Sequence, residues 1–167
     1  DQRIESVLIG EKRRKTVCVS TQVGCALGCT FCATGKMGFT RNLSVGEIVE
    51  QVWFIKNHFD PGISNVVFMG MGEPFLNYDS SLGAAYLLND DLGMGIAARK
   101  ITLSTSGIVP RIRQYAEEGH KFKLAVSVHT LDPHLRTQLM PINKKYPLAE
   151  LLESMSYYTQ KTKKRIT

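Results

Sequence analysis

The sequence predicts an α/β fold built on a parallel sheet and entered through a β-hairpin. Three observations carry that prediction. Apolar runs of strand length, at 65–69, 100–104 and 122–129, alternate with longer stretches of helical period. Turn-forming residues punctuate the alternation at Pro61-Gly62, Gly70-Met71-Gly72, Gly107 and Gly119. No repeat, low-complexity segment or linker interrupts it, so residues 1–167 read as one domain: a leading hairpin at 1–21, a cysteine-bearing loop at 22–43 and successive βα units at 44–167. Strands separated by helices in this order imply parallel pairing through right-handed crossovers.

In chain order, residues 3–9 alternate loosely between polar and apolar, 10–15 form a charged turn, and 16–21 are apolar around Val17 and Val19, which is a hairpin pattern. Ser44-Val45-Gly46-Glu47 has the S-x-x-E form of a capping box, whose serine and glutamate satisfy the first free amides of a helix. In the helix that follows, Val45, Ile48, Val49, Val52, Trp53 and Ile55 fall near i, i+3, i+4, i+7, i+8 spacing, so Trp53 is expected in the core rather than on a stacking surface. The run 65–69 suits a parallel strand covered on both faces. A helix is expected at 80–89 and a strand at 100–104. Pro110 opens the next helix, to about 118, because proline in a first turn removes no needed donor, and Gly119 stops it. Residues 122–129 form another buried strand. Asp132-Pro133 then reads as a cap and first residue of a helix through Leu139, and 147–158 as a last amphipathic helix before a basic tail.

Composition sets bounds on function. A content of 43% hydrophobic and 22% charged residues over 167 positions is enough for one core, and no apolar run approaches the roughly 20 residues that span a bilayer. A formal charge of +6 favours a polyanionic partner. Basic residues gather at Lys12-Arg13-Arg14-Lys15, at Lys144-Lys145 and at 161–165. Such segments either converge on one nucleic acid or are solvated loop ends, and the sequence leaves both open.

The most specific chemistry lies in Cys25-Ala26-Leu27-Gly28-Cys29-Thr30-Phe31-Cys32, three thiols spaced C-x3-C-x2-C. A structural zinc site wants four ligands, commonly as two separated pairs, whereas three thiolates on a four-iron cluster leave one iron free for a small molecule. Gly24, Gly28, Gly35 and Gly38 let the backbone fold tightly around a bulky group, and Phe31 stands where it shields one face. Cys18, seven residues upstream, keeps a four-cysteine zinc site as the alternative, and with it a zinc-bearing RNA-binding module in place of an enzyme. A secreted disulfide scaffold is disfavoured, because all 4 cysteines lie in the first fifth of the chain and no signal-like segment precedes them.

In this setting C-x3-C-x2-C resembles the signature of the radical S-adenosylmethionine (radical SAM) enzymes. The wider run, from Cys18 through Gly24-Cys25 and Cys32-Ala33-Thr34-Gly35 to Gly38-Phe39-Thr40-Arg41-Asn42-Leu43, is similar to the RlmN/Cfr family of RNA adenine methyltransferases. The resemblance implies a partial (β/α) barrel with sites at the carboxyl ends of its strands. It implies a 4Fe-4S cluster on Cys25, Cys29 and Cys32 whose free iron chelates S-adenosyl-L-methionine, and one-electron cleavage that yields a 5′-deoxyadenosyl radical. Gly70-Met71-Gly72-Glu73-Pro74 resembles the GEP-type segment that binds the cofactor's amino group, here through Gly72 and Glu73. Ser104 matches a cofactor-contacting serine, and Ser127-Val128-His129 resembles the family's S-L-H segment with valine for leucine. On residues alone, a glycine-rich turn after a strand is common, and His129 reads equally as a strand-end histidine satisfied by backbone.

The same resemblance gives Cys18 and Glu5 catalytic roles. Family members first methylate a cysteine near their C-terminus, add its methylene radical to adenine, and resolve the adduct by a disulfide with a second cysteine, which Cys18 matches. The glutamate that Glu5 matches, thirteen residues earlier, is the proton acceptor, although by itself Glu5 reads equally as a surface carboxylate. The carrier cysteine is absent from the 167 residues, and the N-terminal accessory domain and C-terminal part of the family are expected to be missing as well. The implied reaction is carbon-2 methylation of an adenine in 23S rRNA and in tRNA, with carbon-8 methylation or another radical SAM reaction as the enzymatic alternative. Flavodoxin or ferredoxin as electron donor, a monomeric state, no membrane attachment and a cytoplasmic location complete the expectation.

Overall fold

The computed structural model describes residues 2–11 and 14–167. Strands β1 (Val7–Glu11) and β2 (Arg14–Cys18) pair antiparallel with Val7 opposite Cys18, which is the predicted hairpin. Gly10, Glu11, Arg14 and Lys15, expected in the turn, belong to the strands; β1 is a solvated edge, where charged residues are tolerated. Lys12 and Arg13, half of the first basic segment, lie outside the described residues.

Strands β5 (Asn65–Phe68), β6 (Ile101–Thr105) and β7 (Lys123–Val126) complete a sheet of order β1-β2-β5-β6-β7, in which β2, β5, β6 and β7 are parallel. Parallel strands laid down in sequence order are the arrangement of an arc of a (β/α) barrel. The helices α2 (Val45–His58), α3 (Tyr78–Asn89) and α4 (Val109–Glu118) are the crossovers, followed by α5 (Pro133–Leu139) and α6 (Leu148–Thr162). Val17, Val66, Phe68, Ile101, Leu103 and Leu124 from the sheet meet Ile48, Val52, Leu88, Ile112 and Leu151 from the helices in one fully buried core.

The local signals held at most element ends. Ser44 and Glu47 form the capping box, Pro110 sits in the first turn of α4, Gly119 ends it at φ 67°, and the Asp132 carboxylate accepts from the N–H groups of His134 and Leu135. Three readings need correction. Trp53 is 51% exposed, because the buried stripe of α2 runs through Ile48, Gln51, Val52 and Ile55, and one residue past Val52 turns the ring out of it. In β5, Val66 and Phe68 are buried but Asn65 and Val67 only partly, short of two-sided burial. Strand β7 stops at Val126, three residues early. The basic tail docks on the sheet: Ile166 bridges to Leu124, Val126 N–H donates to Thr167 O, and Lys161 pairs with Glu117 at 2.9 Å.

Candidate functional site

The cysteine loop is built on a neck that the sequence did not announce. Strands β3 (Gln22–Gly24) and β4 (Phe39–Asn42) pair antiparallel, and Cys25 N–H donates to Gly38 O at 2.8 Å, so the first thiol springs directly from a closed ring. Gly24 is required there: its φ is +76°, and a Cβ would stand 1.8 Å from the Gly38 carbonyl oxygen. A single turn of helix, α1 (Ala33–Lys36), follows the third cysteine.

Buried amide side chains then fasten this neck to the turn after β5. Gln22 accepts the Glu73 N–H at 2.9 Å through Oε1 and donates to Asn42 Oδ1 at 2.8 Å. Asn77 donates to both Thr21 O and Leu43 O, at 2.8 and 2.7 Å. On the far side Thr30 N–H donates to Leu139 O at 3.0 Å, which ties the loop to α5.

These fastenings close a cavity of about 320 Å³ over the carboxyl ends of β5, β6 and β7, within the size range of small-molecule sites. Cys25, Cys29 and Cys32 line it together with Gly72, Glu73, Ser104, Ser127 and His129. Most of the residues singled out from sequence therefore converge. Val128, Cys18 and Glu5 do not line the cavity. Cys18 lies outside it, near the backbone of Met69, a lining residue, and close enough to Glu5 to feel its charge. Glu5 is held from the other direction, since its carbonyl accepts from Ser20 Oγ at 2.6 Å, and Ser20 N–H donates to the buried Gln51 amide at 2.8 Å. Thr105, Ser106 and Met140 also line the cavity and carried no sequence signal. A larger groove of about 540 Å³, between residues 2–6, β4 and α2, contains no thiol.

The electrostatics of the wall are those of a site awaiting positive charge. All four cysteines are free. Burial pushes the Cys25 and Cys29 thiols up, neighbouring thiols and Glu73 add repulsion, and Cys29 reaches about 11. In the metal-free protein at pH 8, Cys29 is expected to hold roughly a hundredfold less thiolate than a thiol of pKa 9. Its alkylation by iodoacetamide should be slower than that of a free cysteine by a similar factor and accelerate with pH up to about 11, which peptide mapping of the labelled protein checks. A rate equal to that of free cysteine would contradict the burial.

Glu73 is only 2% exposed. Its Oε1 accepts from Phe75 N–H at 3.0 Å and its Oε2 from Ser106 N–H at 2.7 Å, yet burial outweighs both donors and raises its pKa. Among the described residues no cation forms an ion pair with it, so a ligand ammonium would supply the missing charge. At the end of β7, His129 has φ 62° and Thr130 N–H donates to Val128 O at 2.8 Å, a γ-turn of the strained positive-φ kind. The His129 ring packs on Phe31 with centroids 4.5 Å apart, and both rings line the cavity.

The donor set fits an iron–sulfur cube better than a single ion. Among the described residues no group of three or more Cys, His, Asp and Glu side chains converges on one ion-sized point, although three thiols face one cavity and interact electrostatically. A cube takes each thiolate on its own corner, whereas zinc draws four into one tetrahedron. Cys18, which the zinc alternative needs, stands outside the cavity.

Comparison with known proteins agrees with this geometry. The family model described as the radical SAM superfamily matches residues 19–167. A probable dual-specificity RNA methyltransferase RlmN of Dictyoglomus thermophilum is 53% identical over 169 residues, covering 99% of this chain and 49% of the relative. A dual-specificity RNA methyltransferase RlmN of Xanthomonas campestris pv. campestris is 49% identical, covering 97% of this chain and 42% of the relative. The crystal structure of a radical SAM methyltransferase from Sphaerobacter thermophilus superposes with a TM-score of 0.94 at 47% identity, over 99% of this chain and 49% of that one. The chain thus spans about half the length of the curated relatives it matches.

Proposed function

Since the chain belongs to the radical SAM superfamily, we propose that it is the motif-bearing part of an RNA methyltransferase acting on carbon-2 of an adenine in 23S rRNA, with tRNA as a second substrate. The observation that carries the reading is the convergence of three free thiols and the Gly72-Glu73 turn on one cavity. The names of relatives about 50% identical support the choice of RNA as substrate.

When bound, a 4Fe-4S cluster with S-adenosyl-L-methionine supplies one-electron cleavage of a carbon–sulfur bond. The chain's own residues provide the rest. Cys25, Cys29 and Cys32 would hold the cluster through their thiolates. Glu73 would receive the ammonium of the cofactor, on a turn that Gly72 at φ +96° lets pack against Gln22, whose side chain a Cβ would meet at 2.5 Å. Ser104, Ser127 and His129, at the ends of β6 and β7, offer hydroxyl and ring donors to its polar groups, and the Val128 carbonyl fixes the γ-turn that aims His129. Glu5 would accept the proton lost from adenine, and the Cys18 thiol near it would form a disulfide with the carrier cysteine as the bond between that sulfur and the transferred carbon breaks, its electron pair passing to the carbon. The methyl-carrying cysteine is not among the 4 cysteines of these residues, so transfer requires the full-length protein.

The electron donor is of the flavodoxin or ferredoxin class and the enzyme works as a cytoplasmic monomer. No helix of the described residues is long and apolar enough to cross a membrane. Anaerobic reconstitution of the full-length protein with iron and sulfide tests the site: brown absorbance is expected, and its loss in Cys25→Ala. Mass spectrometry of RNA treated with the loaded protein tests the reaction. A methyl group on adenine carbon-2 bears it out; one on carbon-8, or an unmodified RNA, overturns it.

A further inference from the structure

Arg136 is fully buried on α5, and among the described residues no carboxylate lies within ion-pair distance of it. Its guanidinium is satisfied by neutral oxygens alone. Nη1 donates to Asn143 Oδ1 at 2.7 Å, Nη2 to Ser106 O at 2.8 Å and to Ser127 O at 3.5 Å, and Nε to Val128 O at 3.3 Å. Dipoles satisfy the donors but leave a net positive charge in a medium that screens poorly, and a buried charge without a counter-charge is costly.

The place of that charge says what balances it. Ser106 and Ser127 line the cavity while Arg136 does not, so the guanidinium stands behind the backbone of the cavity wall. The Thr30 N–H to Leu139 O bond fastens α5 to the cysteine loop, and Cys29 is near enough for its charge to act on Arg136. Glu73 is reached only through the Ser106 backbone, whose N–H it takes, and burial favours its neutral form.

We propose that Arg136 is the fixed counter-charge of the cluster, a positioning residue that stabilises the reduced, more negative state through its field while bracing the carbonyls at the ends of β6 and β7. The proposal rests on the cluster reading above. Three thiolates leave a four-iron centre net negative, each added electron deepens that charge, and a cation at short range in low dielectric raises the reduction potential.

The test is an EPR-monitored redox titration, without S-adenosyl-L-methionine, of the full-length protein loaded anaerobically with iron and sulfide. Arg136→Gln is expected to lower the midpoint potential by at least the equivalent of a tenfold change in a one-electron equilibrium, about 59 mV, and Arg136→Lys to restore most of it. Asn143→Asp, which sets an acid against Nη1 without removing the arginine, should lower it in the same direction. A merely structural arginine would change melting temperature without ordering the potentials by charge. A wild-type potential in cluster-loaded Arg136→Gln overturns the proposal. Should that variant fail to fold, an unchanged potential in Asn143→Asp overturns it instead. Failure of the unsubstituted protein to assemble a cluster would strike the underlying reading, not the role of Arg136.

Discussion

Gly24→Ala is expected to abolish cluster assembly while leaving the five-stranded sheet folded. The added Cβ meets the Gly38 carbonyl oxygen at 1.8 Å, its carbon at 2.9 Å and Phe39 Cα at 3.3 Å. All three are backbone atoms, so no rotamer change relieves the overlap. They also belong to Gly38 and Phe39, where the strand that closes the neck begins, and Gly38 O is the acceptor that fixes Cys25. The left-handed backbone at φ +76° adds strain of about 1–3 kcal/mol for a residue with a side chain. Gly28→Ala is the matched control. Its φ is +63° but nothing lies within 4 Å of the new Cβ, so only the strain applies. Since about 1.4 kcal/mol already shifts an equilibrium tenfold, Gly24→Ala should lose the cluster's visible absorbance at least tenfold relative to Gly28→Ala, with far-UV circular dichroism alike in both. Equal loading of the two variants would mean that the β3–β4 neck does not set the positions of the thiols.

What could be read from sequence, and what could not, divides along a physical line. Features fixed by local chemistry were legible: the capping box at Ser44, the helix stop at Gly119, and thiols whose spacing the ligand imposes. Strand ends followed from breakers, so Glu73, Ser104 and Ser127 landed at one edge of the sheet as expected. Residues whose partners are remote backbone groups were invisible. Gln22 answers an N–H 51 positions away, Asn77 a carbonyl 56 positions away, and Arg136 a carbonyl 30 positions away. Each reads in one dimension as an ordinary polar residue. The neck strands are three and four residues long, too short to show alternation. Trp53 shows the converse limit, since period 3.6 finds the apolar stripe but not which side of its margin faces solvent. The basic tail was legible as charge, but its pairing along β7 depends on a register that only the folded sheet supplies.

Glu73→Gln tests the other half of the site and should weaken binding of S-adenosyl-L-methionine to cluster-loaded, full-length protein by roughly a hundredfold. Two losses add. The carboxylate accepts from Phe75 N–H and Ser106 N–H with separate oxygens; a glutamine has one oxygen, so its NH₂ must face an N–H, and a buried donor left unsatisfied costs about 1–3 kcal/mol. The negative charge that would meet the cofactor's ammonium is also removed, and a hydrogen bond to a charged group contributes about 1.5–3 kcal/mol. The sign of the pH dependence separates this role from scaffolding. Burial raises the Glu73 pKa above its ordinary 4.5, so without ligand the native state holds this proton more tightly than the unfolded chain. Its contribution to stability is complete below the unfolded value and is lost as pH rises through the folded one. A cationic ligand favours the ionised form, so binding expels the proton and affinity should climb with pH across the same window, while the glutamine variant shows no such slope. Titration calorimetry in buffers of different ionisation enthalpy reads the proton release directly. Affinity that is unchanged by Glu73→Gln, or indifferent to pH in the unsubstituted protein, would reduce Glu73 to a staple between the ends of β5 and β6.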